Sequence, residues 1–177
     1  MRREVHMSQY KFDRDAYLQR IKYTEKVIPD PKHLEDLHRA HLNTIPFENF
    51  DILSGKGINL ESEALFNKLV HNKRGGYCFE VNGLFLEALK IFGFEARPLL
   101  GRVHITGTPT GRGHQITLVT LQEKKWIVDV GFGGSTPRTP IPLEFDKPFT
   151  QNGQIIRLIE TQEFGIMLQS QNNDQWQ

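Results

Sequence analysis

The sequence lacks several features that would assign a protein to a class at once. It has one cysteine among 177 residues and so can form no internal disulfide, which predicts a protein of the reducing cytoplasm. Its formal net charge of +1 gives no basic excess for a nucleic-acid partner. No apolar run is long enough to cross a membrane, and the positively charged first ten residues lack the apolar stretch of a secretory signal. We therefore expect a cytoplasmic globular protein that binds neither nucleic acid nor membrane.

The chain up to Gly93 has the spacing of amphipathic helices. Apolar residues recur there every three or four positions, which indicates helices with one buried face. Asp30 before Pro31 indicates a helix start, because aspartate caps free N–H groups and proline fits the first turn. Gly93 indicates a helix end. Four helices are predicted, over residues 14–28, 30–45, 59–70 and 79–93.

The residues after Gly93 have the pattern of strands. Short segments rich in β-branched and aromatic residues alternate with turn clusters such as TGTPTGRG and GGSTPRTP. Strands are predicted near residues 96–105, 114–122, 125–132, 154–160 and 164–171. The sequence therefore predicts an α+β fold, with a helical domain over residues 1–93 and an antiparallel β domain over residues 94–177. Because the sequence stops soon after the last strand, we expect an uncovered sheet edge or face, or a partner that covers it.

The single cysteine, Cys78, lies where a glycine pair meets a predicted helix, in NKRGGYCFEVNG. A thiol reacts as the thiolate, and a free cysteine with a pKa of about 8.5 is little ionised at neutral pH. A helix N-terminus favours the anion, so a helix that starts at or just after Cys78 would activate it. Gly75 and Gly76 would allow the tight turn before that helix. The alternative is a buried, unreactive cysteine, as free cysteines commonly are.

A nucleophilic thiol needs a base, and the base needs an acceptor that orients it. His114 is a candidate base because it starts an apolar strand directly after a glycine-rich loop, where a side chain can reach a cleft. Asp129 is a candidate acceptor because it interrupts an apolar strand, and a buried carboxylate needs a partner. Two alternatives stay open: Asp129 caps the turn at GFGG, and His104 is the base.

Three further patterns are weaker. His38 and His41 lie three residues apart on a predicted helix, but no other ligand has metal-site spacing, so we expect them to pack or cap helices and predict no metal site. The turn GFGGST lacks the lysine and the spacing of a phosphate-binding loop. Phe47 and Phe50 in IPFENFD would form either an aromatic pocket wall or part of the core.

Four stretches together resemble the arylamine N-acetyltransferases, in that family's order and with its separations. They are IPFENFD at 45–51, RGGYCFE at 74–80, GHQITLV at 113–119 and WIVDVGFGG at 126–134. The resemblance extends from about Tyr17 to the end of the chain. It implies a catalytic triad of Cys78, His114 and Asp129. It also implies an N-terminal helical bundle followed by an antiparallel β-barrel, in a catalytic core similar to that of cysteine proteases and transglutaminases.

The resemblance implies an activity as well: transfer of an acetyl group from acetyl-CoA to arylamines or arylhydrazines, a reaction of xenobiotic metabolism. The implied mechanism is ping-pong, with acetyl-CoA as co-substrate, a thioester on Cys78 and no permanently bound cofactor. An apolar slot for the aromatic amine is implied at Phe47, Val103 and Phe132. Contacts with coenzyme A are implied at Gly131, Gly133, Gly134 and Ser135. Arg74 is expected to hold the domain junction.

The sequence departs from the family's pattern in one respect. The family has a third, α/β region after the barrel, which forms a lid and one wall of the coenzyme A cleft, and we expect this chain to lack it. Two alternatives therefore stay open. One is a related triad enzyme, an amide synthase or hydrolase, that uses another acceptor. The other is a non-catalytic or partner-dependent fragment, whose uncovered barrel face would bind a partner or drive self-association.

Overall fold

Helices precede strands along the chain, and the predicted α+β fold is confirmed. The computed structural model describes residues 10–104 and 107–177. Its helices are α1 (Arg14–Arg20), α2 (Pro31–Thr44), α3 (Phe50–Leu53), α4 (Ser62–Phe66) and α5 (Cys78–Ile91), with a π-helical turn at Asn67–His71 and a 3-10 turn at Gly133–Ser135. Its strands are β1 (Glu95–Gly101), β2 (His114–Leu121), β3 (Lys124–Val128), β4 (Ile141–Pro142), β5 (Phe149–Gln151), β6 (Gln154–Thr161), β7 (Gly165–Asn172) and β8 (Gln175–Trp176). Two parts of the sequence predictions lie outside the described residues. They are residues 1–9, where no secretory signal is predicted, and Ile105, the last residue of the first predicted strand.

Two predicted helices have ends close to the predicted ones. α2 begins at Pro31, and the Asp30 carboxylate accepts the His33 N–H at 2.8 Å, as expected of an N-cap. α5 begins at Cys78 and is followed by Gly93 with a φ of +91°, the left-handed conformation that ends a helix. The sequence signals at these ends were therefore sufficient to place the thiol at a helix N-terminus.

The first predicted helix is shorter than expected. α1 ends at Arg20 instead of continuing to residue 28. Lys22 adopts a left-handed φ of 57°, and the Tyr23 N–H donates to the Leu18 carbonyl at 2.9 Å. This is the pattern of a Schellman motif, formed here without the glycine that usually signals it in a sequence.

The third predicted helix, over residues 59–70, is two elements. The regular helix α4 starts at Ser62 and gives way at Asn67 to the π-helical turn. The Asn72 N–H donates to the Asn67 carbonyl at 2.8 Å, which is a bond to the fifth residue back. This wider turn carries Lys68, whose side chain reaches the segment around Cys78.

The strands form two antiparallel sheets of four strands each, in the orders β1-β2-β3-β4 and β5-β6-β7-β8. The closed barrel that the resemblance implies is not seen within residues 10–104 and 107–177. The reason is that β4 has only two residues and pairs only with β3, so strand pairing is not carried into the second sheet. A single parallel bridge, between Phe145 and Leu158, joins the segment after β4 to β6.

The first sheet separates two hydrophobic clusters, because side chains alternate between the faces of a strand. The cluster between this sheet and the helices includes Tyr17, Leu37, Phe85, Val119 and Val128. The cluster between the two sheets consists of Leu118, Ile127, Ile141, Ile156 and Leu158. This packing holds the N-terminus of α5 beside β2 and β3. None of the helices in the described part of the chain is long and apolar enough to cross a membrane.

Candidate active site

The thiol of Cys78 lies at the start of α5. Cys78 is the first helical residue and is half-buried. Its Sγ atom lies 3.7 Å from the carbonyl oxygen of Gly113, the residue before His114. The Glu80 carboxylate folds back and accepts the Tyr77 N–H at 3.0 Å, which closes the first turn. The helix start therefore presents its positive end beside the thiol.

Gly75 and Gly76, which were expected to allow a tight turn, lie where two segments of the chain approach each other closely. Neither glycine has a positive φ. A Cβ on Gly75 would lie 2.1 Å from the Pro46 carbonyl oxygen, and a Cβ on Gly76 would lie 2.8 Å from the Cβ of Glu80. The Gly76 N–H also donates to the Pro46 carbonyl at 3.2 Å. The segment before Cys78 is thus held tightly between the residues near Pro46 and the first turn of α5.

The ring of His114 lies between Asp129 and Cys78. His114 is the first residue of β2, and Asp129 directly follows the last residue of β3. Its Nε2 atom is 2.7 Å from Oδ2 of Asp129. A carboxylate only accepts hydrogen bonds, so Nε2 carries a hydrogen and Nδ1 is the ring nitrogen left to interact with the Cys78 thiol. The structure thus brings the three residues of the predicted triad together.

The surroundings of His114 favour its protonated form. Burial alone lowers the pKa of the ring, but the hydrogen bonds and charges of Asp129 and Cys78 outweigh it and raise that pKa to about 9. At neutral pH the ring therefore carries a hydrogen on both nitrogens. A positive charge beside the sulfur is the kind of environment in which cysteines react as thiolates.

Both carboxylate oxygens of Asp129 accept hydrogen bonds. Oδ2 faces His114, while Oδ1 accepts the Gly131 N–H at 2.9 Å and a side-chain N–H of Asn82 at 3.0 Å. The bond to Gly131 is the turn cap that the sequence offered as the alternative role. The two interpretations are therefore compatible, because one oxygen caps the turn and the other orients the ring. His114 and Asp129 are only 8% and 7% exposed, which strengthens their interaction.

Asn82 was not predicted as a site residue. It is fully buried in α5, one turn after Cys78. Besides its bond to Asp129, its amide donates to the Gln115 carbonyl at 2.8 Å and accepts the Val130 N–H at 2.9 Å. The signal for it was present in the sequence, because an amide interrupts the apolar face of the helix four residues after the cysteine.

The paired histidines of α2 lie beneath the site. His38 Nε2 donates to the Asp129 backbone carbonyl at 2.9 Å, and His41 Nδ1 bonds to the Tyr17 hydroxyl at 3.0 Å. Both rings are fully buried, and burial lowers the pKa of His38 to about 4 and that of His41 to about 3. Both are therefore neutral, and His38 supports the backbone that carries Asp129. Within residues 10–104 and 107–177, no group of three or more histidine, cysteine or acidic side chains is placed to hold a metal.

The rival base, His104, lies apart from Asp129. It follows β1, and its ring contacts Phe164 at a centroid distance of 4.7 Å. Val103, its neighbour, exchanges hydrogen bonds with Thr110: the Val103 N–H donates to Oγ1 at 3.1 Å, and its carbonyl accepts the Thr110 N–H at 3.0 Å. Because Gly101 pairs with His114, Val103 lies two residues beyond the register partner of the base.

Two aromatic rings flank the site. The Phe132 ring meets the His114 ring edge to face at 4.9 Å. Phe47 lies beside the glycine turn, since a Cβ on Gly133 would be 3.8 Å from its Cδ1. Phe47 and Phe50 are 45% and 66% exposed, so the alternative that they belong to the core is wrong. Phe47 and Phe132 are available to form an apolar wall beside the thiol.

The glycines predicted to contact coenzyme A differ in their surroundings. Gly131 packs against α5: a Cβ there would lie 2.4 Å from Cγ2 of Val81 and 3.2 Å from the Cα of Cys78. Its N–H donates to Oδ1 of Asp129, so Gly131 contributes to the structure of the site. Gly134 and Ser135, by contrast, are exposed in the turn that follows.

A chain of ion pairs joins the IPFENFD segment to the helix that carries the thiol. Arg74 Nη2 is 2.7 Å from Oε1 of Glu48 and 3.3 Å from Oδ1 of Asp51. Lys68 Nζ is 2.7 Å from Oδ2 of Asp51 and 2.7 Å from Oε1 of Glu80. Glu80 is the residue that closes the first turn of α5. Arg74 was expected to hold the domain junction, but these partners lie within residues 1–93, so its ion pairs hold the helical part of the chain together. The place of Lys68 was not predicted.

Comparisons with known proteins find relatives of the same family in both sequence and fold. A family model described as N-acetyltransferase matches residues 30–177. The arylamine N-acetyltransferase / N-hydroxyarylamine O-acetyltransferase of Salmonella typhimurium is 42% identical over 166 residues, which are 92% of this chain and 58% of that protein. The solved arylamine N-acetyltransferase from Salmonella typhimurium matches with a TM-score of 0.88 and 39% identity, over 93% of this chain and 60% of that one.

A further solved structure is that of Mycobacterium marinum arylamine N-acetyltransferase in complex with CoA. It matches with a TM-score of 0.86 and 39% identity, over 93% of this chain and 63% of that one. The chain thus spans less than two thirds of the length of each of these relatives. Because the family model covers most of the chain and the relatives share both its sequence and its fold, this chain belongs to the arylamine N-acetyltransferase family.

Proposed function

We propose that this chain carries the acetyl-transfer site of an arylamine N-acetyltransferase. An acetyl group would pass from acetyl-CoA to Cys78 and from Cys78 to the nitrogen of an arylamine or arylhydrazine. The observation that carries the proposal is the His114 ring, held 2.7 Å from Asp129 at the end of β3, next to the Cys78 thiol, whose Sγ atom lies 3.7 Å from the carbonyl oxygen of the preceding residue, Gly113. A nucleophile at a helix start and a base at a strand start support a core of the cysteine-protease and transglutaminase kind.

In the first half-reaction the Cys78 thiolate attacks the carbonyl carbon of the acetyl thioester. A new C–S bond forms, and the backbone N–H groups at the start of α5 stabilise the oxyanion. The intermediate collapses and the bond to the coenzyme A sulfur breaks. Protonated His114 returns its Nδ1 proton to the leaving thiolate, which leaves acetyl-Cys78 and a neutral ring.

In the second half-reaction the amine nitrogen attacks acetyl-Cys78. His114 takes a proton from that nitrogen, the C–S bond breaks, and the thiolate and the imidazolium are restored. Asp129 keeps the hydrogen on Nε2 throughout, so that Nδ1 is always the nitrogen that exchanges protons with the reactants. The products are the N-acetylated amine and free coenzyme A, which balances the two substrates.

The aromatic rings beside the thiol favour an aromatic acceptor. Phe132 offers an apolar face next to His114, Phe47 lies beside Gly133 in the turn that follows, and Val103 would close the slot from the loop after β1. We assign coenzyme A to the exposed side of the glycine turn, at Gly133, Gly134 and Ser135. The Mycobacterium marinum relative, solved with CoA, supports a coenzyme A site in this fold. A lone cysteine stays reactive in a reducing compartment, so we place the reaction in the cytoplasm.

A second candidate is a partner-dependent chain. Three large apolar side chains are exposed at β7: Phe164, directly before the strand, and Ile166 and Leu168 within it. An exposed apolar patch of this kind is typical of a surface that a partner or another copy covers. Gel filtration tests this candidate, because a monodisperse monomer at high concentration would contradict self-association.

Intact-protein mass spectrometry after mixing the chain with acetyl-CoA, without amine, tests the proposed function. We expect a gain of one acetyl group, which is lost when an arylamine is added and is absent in Cys78→Ser. No acetylation, with Cys78 still rapidly alkylated by iodoacetamide, would place donor binding outside this chain. No acetylation together with slow alkylation would overturn the proposed nucleophile.

A further inference from the structure

We propose that Asn82 is the positioning residue that holds the three catalytic groups in register. Its side chain is fully buried and bonds to the segments that carry His114 and Asp129, while its own helix carries Cys78. This inference rests on the proposed function for the roles of those three residues. It goes beyond that function by assigning their alignment to one amide.

The three hydrogen bonds of Asn82 go to groups in different parts of the site. Its Nδ2 donates to Oδ1 of Asp129 at 3.0 Å and to the carbonyl of Gln115 at 2.8 Å. Its Oδ1 accepts the Val130 N–H at 2.9 Å. Gln115 directly follows His114, and Val130 directly follows Asp129. One side chain on α5 therefore holds both the start of β2, which carries His114, and the turn after β3, which carries Asp129.

An amide suits this position better than any other short side chain. Two donors and one acceptor are needed at the same point, and the asparagine amide supplies both kinds of group. A carboxylate would lose both donors. An apolar side chain would remove all three bonds and leave Oδ1 of Asp129 with the Gly131 N–H as its remaining partner. By holding Oδ1, Asn82 also fixes the rotation of the Asp129 carboxylate, so that Oδ2 stays directed at His114.

The test compares Asn82 with a buried amide elsewhere in the same chain. Gln151 is also buried, and its side chain also makes three hydrogen bonds, to the backbone of Arg138 and Thr139. It contacts none of the three catalytic groups. Asn82→Ala and Asn82→Asp are therefore measured beside Gln151→Ala and Gln151→Glu, so that loss of a buried amide is separated from loss of alignment.

Two readouts report alignment directly. One is the pKa of His114 from NMR titration, with its signal identified by its absence in His114→Gln. The other is the rate at which iodoacetamide alkylates Cys78 as a function of pH. We expect Asn82→Ala to lower the His114 pKa and to slow alkylation at pH 7 by roughly 10- to 100-fold, as a displaced catalytic group does. The Gln151 variants should change neither.

Equal effects of the Asn82 and Gln151 variants, or an unchanged His114 pKa in Asn82→Ala, would overturn the proposal. If the Asn82 variants do not fold, the unmodified chain supplies the test. Because Asp129 lies between the two side chains, the Asn82 amide NMR signals should titrate with the same pKa as His114, and flat signals would contradict the inference. Neither readout uses acetyl-CoA or an amine, so failure of the proposed function would be seen separately.

Discussion

His114 shows how two neighbours can set the chemistry of a third residue. Burial disfavours its charged form, yet the Asp129 carboxylate and the Cys78 thiol together raise its pKa to about 9. The ring therefore depends on both partners for its charge. The two nitrogens have separate tasks in the proposed mechanism, since Nε2 is bonded to Asp129 and only Nδ1 is left for the thiol.

Replacing Asp129 with asparagine tests the carboxylate alone. Asp129→Asn keeps an acceptor for the N–H of Gly131 but removes the negative charge and places an amide against Nε2 of His114. We expect the His114 pKa to fall and acetyl transfer to slow by about four orders of magnitude, because the ring is held in the wrong tautomer. NMR titration and single-turnover kinetics measure these effects. A rate near that of the unmodified chain would remove Asp129 from the triad.

The three residues of the proposed triad were accessible from sequence, whereas the contacts made by the residues that support them were not. Cys78 was marked by glycines before a helix, and Asp129 by a charge within an apolar strand. The roles of Asn82 and His38, in contrast, come from contacts with Asp129, which lies 47 positions after Asn82 and 91 positions after His38 in the chain. No local pattern predicts such pairs, because they are fixed by how α5 and α2 pack on the sheet.

At the scale of elements, the close contact between α5 and the Asp129 turn decides how well the site is aligned. Gly131→Ala would place a Cβ 2.4 Å from Val81 and 3.2 Å from the Cα of Cys78. We expect this overpacking to lower the free energy of unfolding by about 1–3 kcal/mol and to slow Cys78 alkylation. Urea denaturation and iodoacetamide kinetics measure the two effects.

Gly57→Ala is the matched control for this substitution. Gly57 has a φ outside the left-handed region, and a Cβ there would meet no atom within 4 Å. It should therefore leave both measurements near those of the unmodified chain. Similar losses in the two variants would mean that the contact between Gly131 and α5 is not what holds the site together.

The ion pairs of Lys68 make a second prediction at this scale. Lys68→Met leaves the buried Glu80 carboxylate without its cation, whereas Glu80→Gln can still accept the Tyr77 N–H. A double-mutant cycle of Lys68→Met and Glu80→Gln, measured by denaturant unfolding, should give a coupling energy of roughly 1–3 kcal/mol. The double variant should regain part of the stability lost in Lys68→Met. Strict additivity would show that this pair does not couple the π-helical turn to α5.

The longer helices and strands were predicted, whereas the short elements α3, β4, β5 and β8 and some of the element ends were not. The ends of α2 and α5 carried proline, aspartate and glycine signals and were close to the observed ones. The end of α1 was missed because Lys22 adopts a conformation that sequence patterns associate with glycine. The separation of the strands into two sheets follows from the shortness of β4, which depends on pairing between distant residues and leaves little local signal.

At the scale of the whole molecule, two buried neutral histidines govern the response to acid. Burial lowers the pKa of His38 to about 4 and of His41 to about 3, below the value of about 6.5 in an unfolded chain. As pH falls below 6.5, the unfolded chain binds two protons that the folded chain does not, so stability is lost. His114 acts in the opposite sense, because its pKa of about 9 in the folded chain lies above the unfolded value of about 6.5. Its opposing slope is present near pH 6.5 and fades towards pH 5, where the ring is protonated in both states.

We therefore expect the free energy of unfolding to fall between pH 6.5 and 5 with a slope approaching about 2.7 kcal/mol per pH unit, or about 1.4 for each histidine. In His41→Phe the slope should be halved, although that variant also loses the bond to Tyr17. Urea titrations at several pH values measure the slope. A flat profile in this range, in the unmodified chain, would contradict neutral burial of the pair.

The proposed catalytic residues lie on opposite sides of the helix–sheet interface, so the reactivity of the thiol depends on complete folding. Cys78 belongs to a helix, whereas His114 and Asp129 belong to the sheet, and only docking of the two brings them together. A partly folded copy would therefore carry an ordinary, slow thiol and could not trap acyl groups or electrophiles by accident. The rate at which Cys78 is alkylated, measured during unfolding, therefore reports whether α5 is docked on the first sheet.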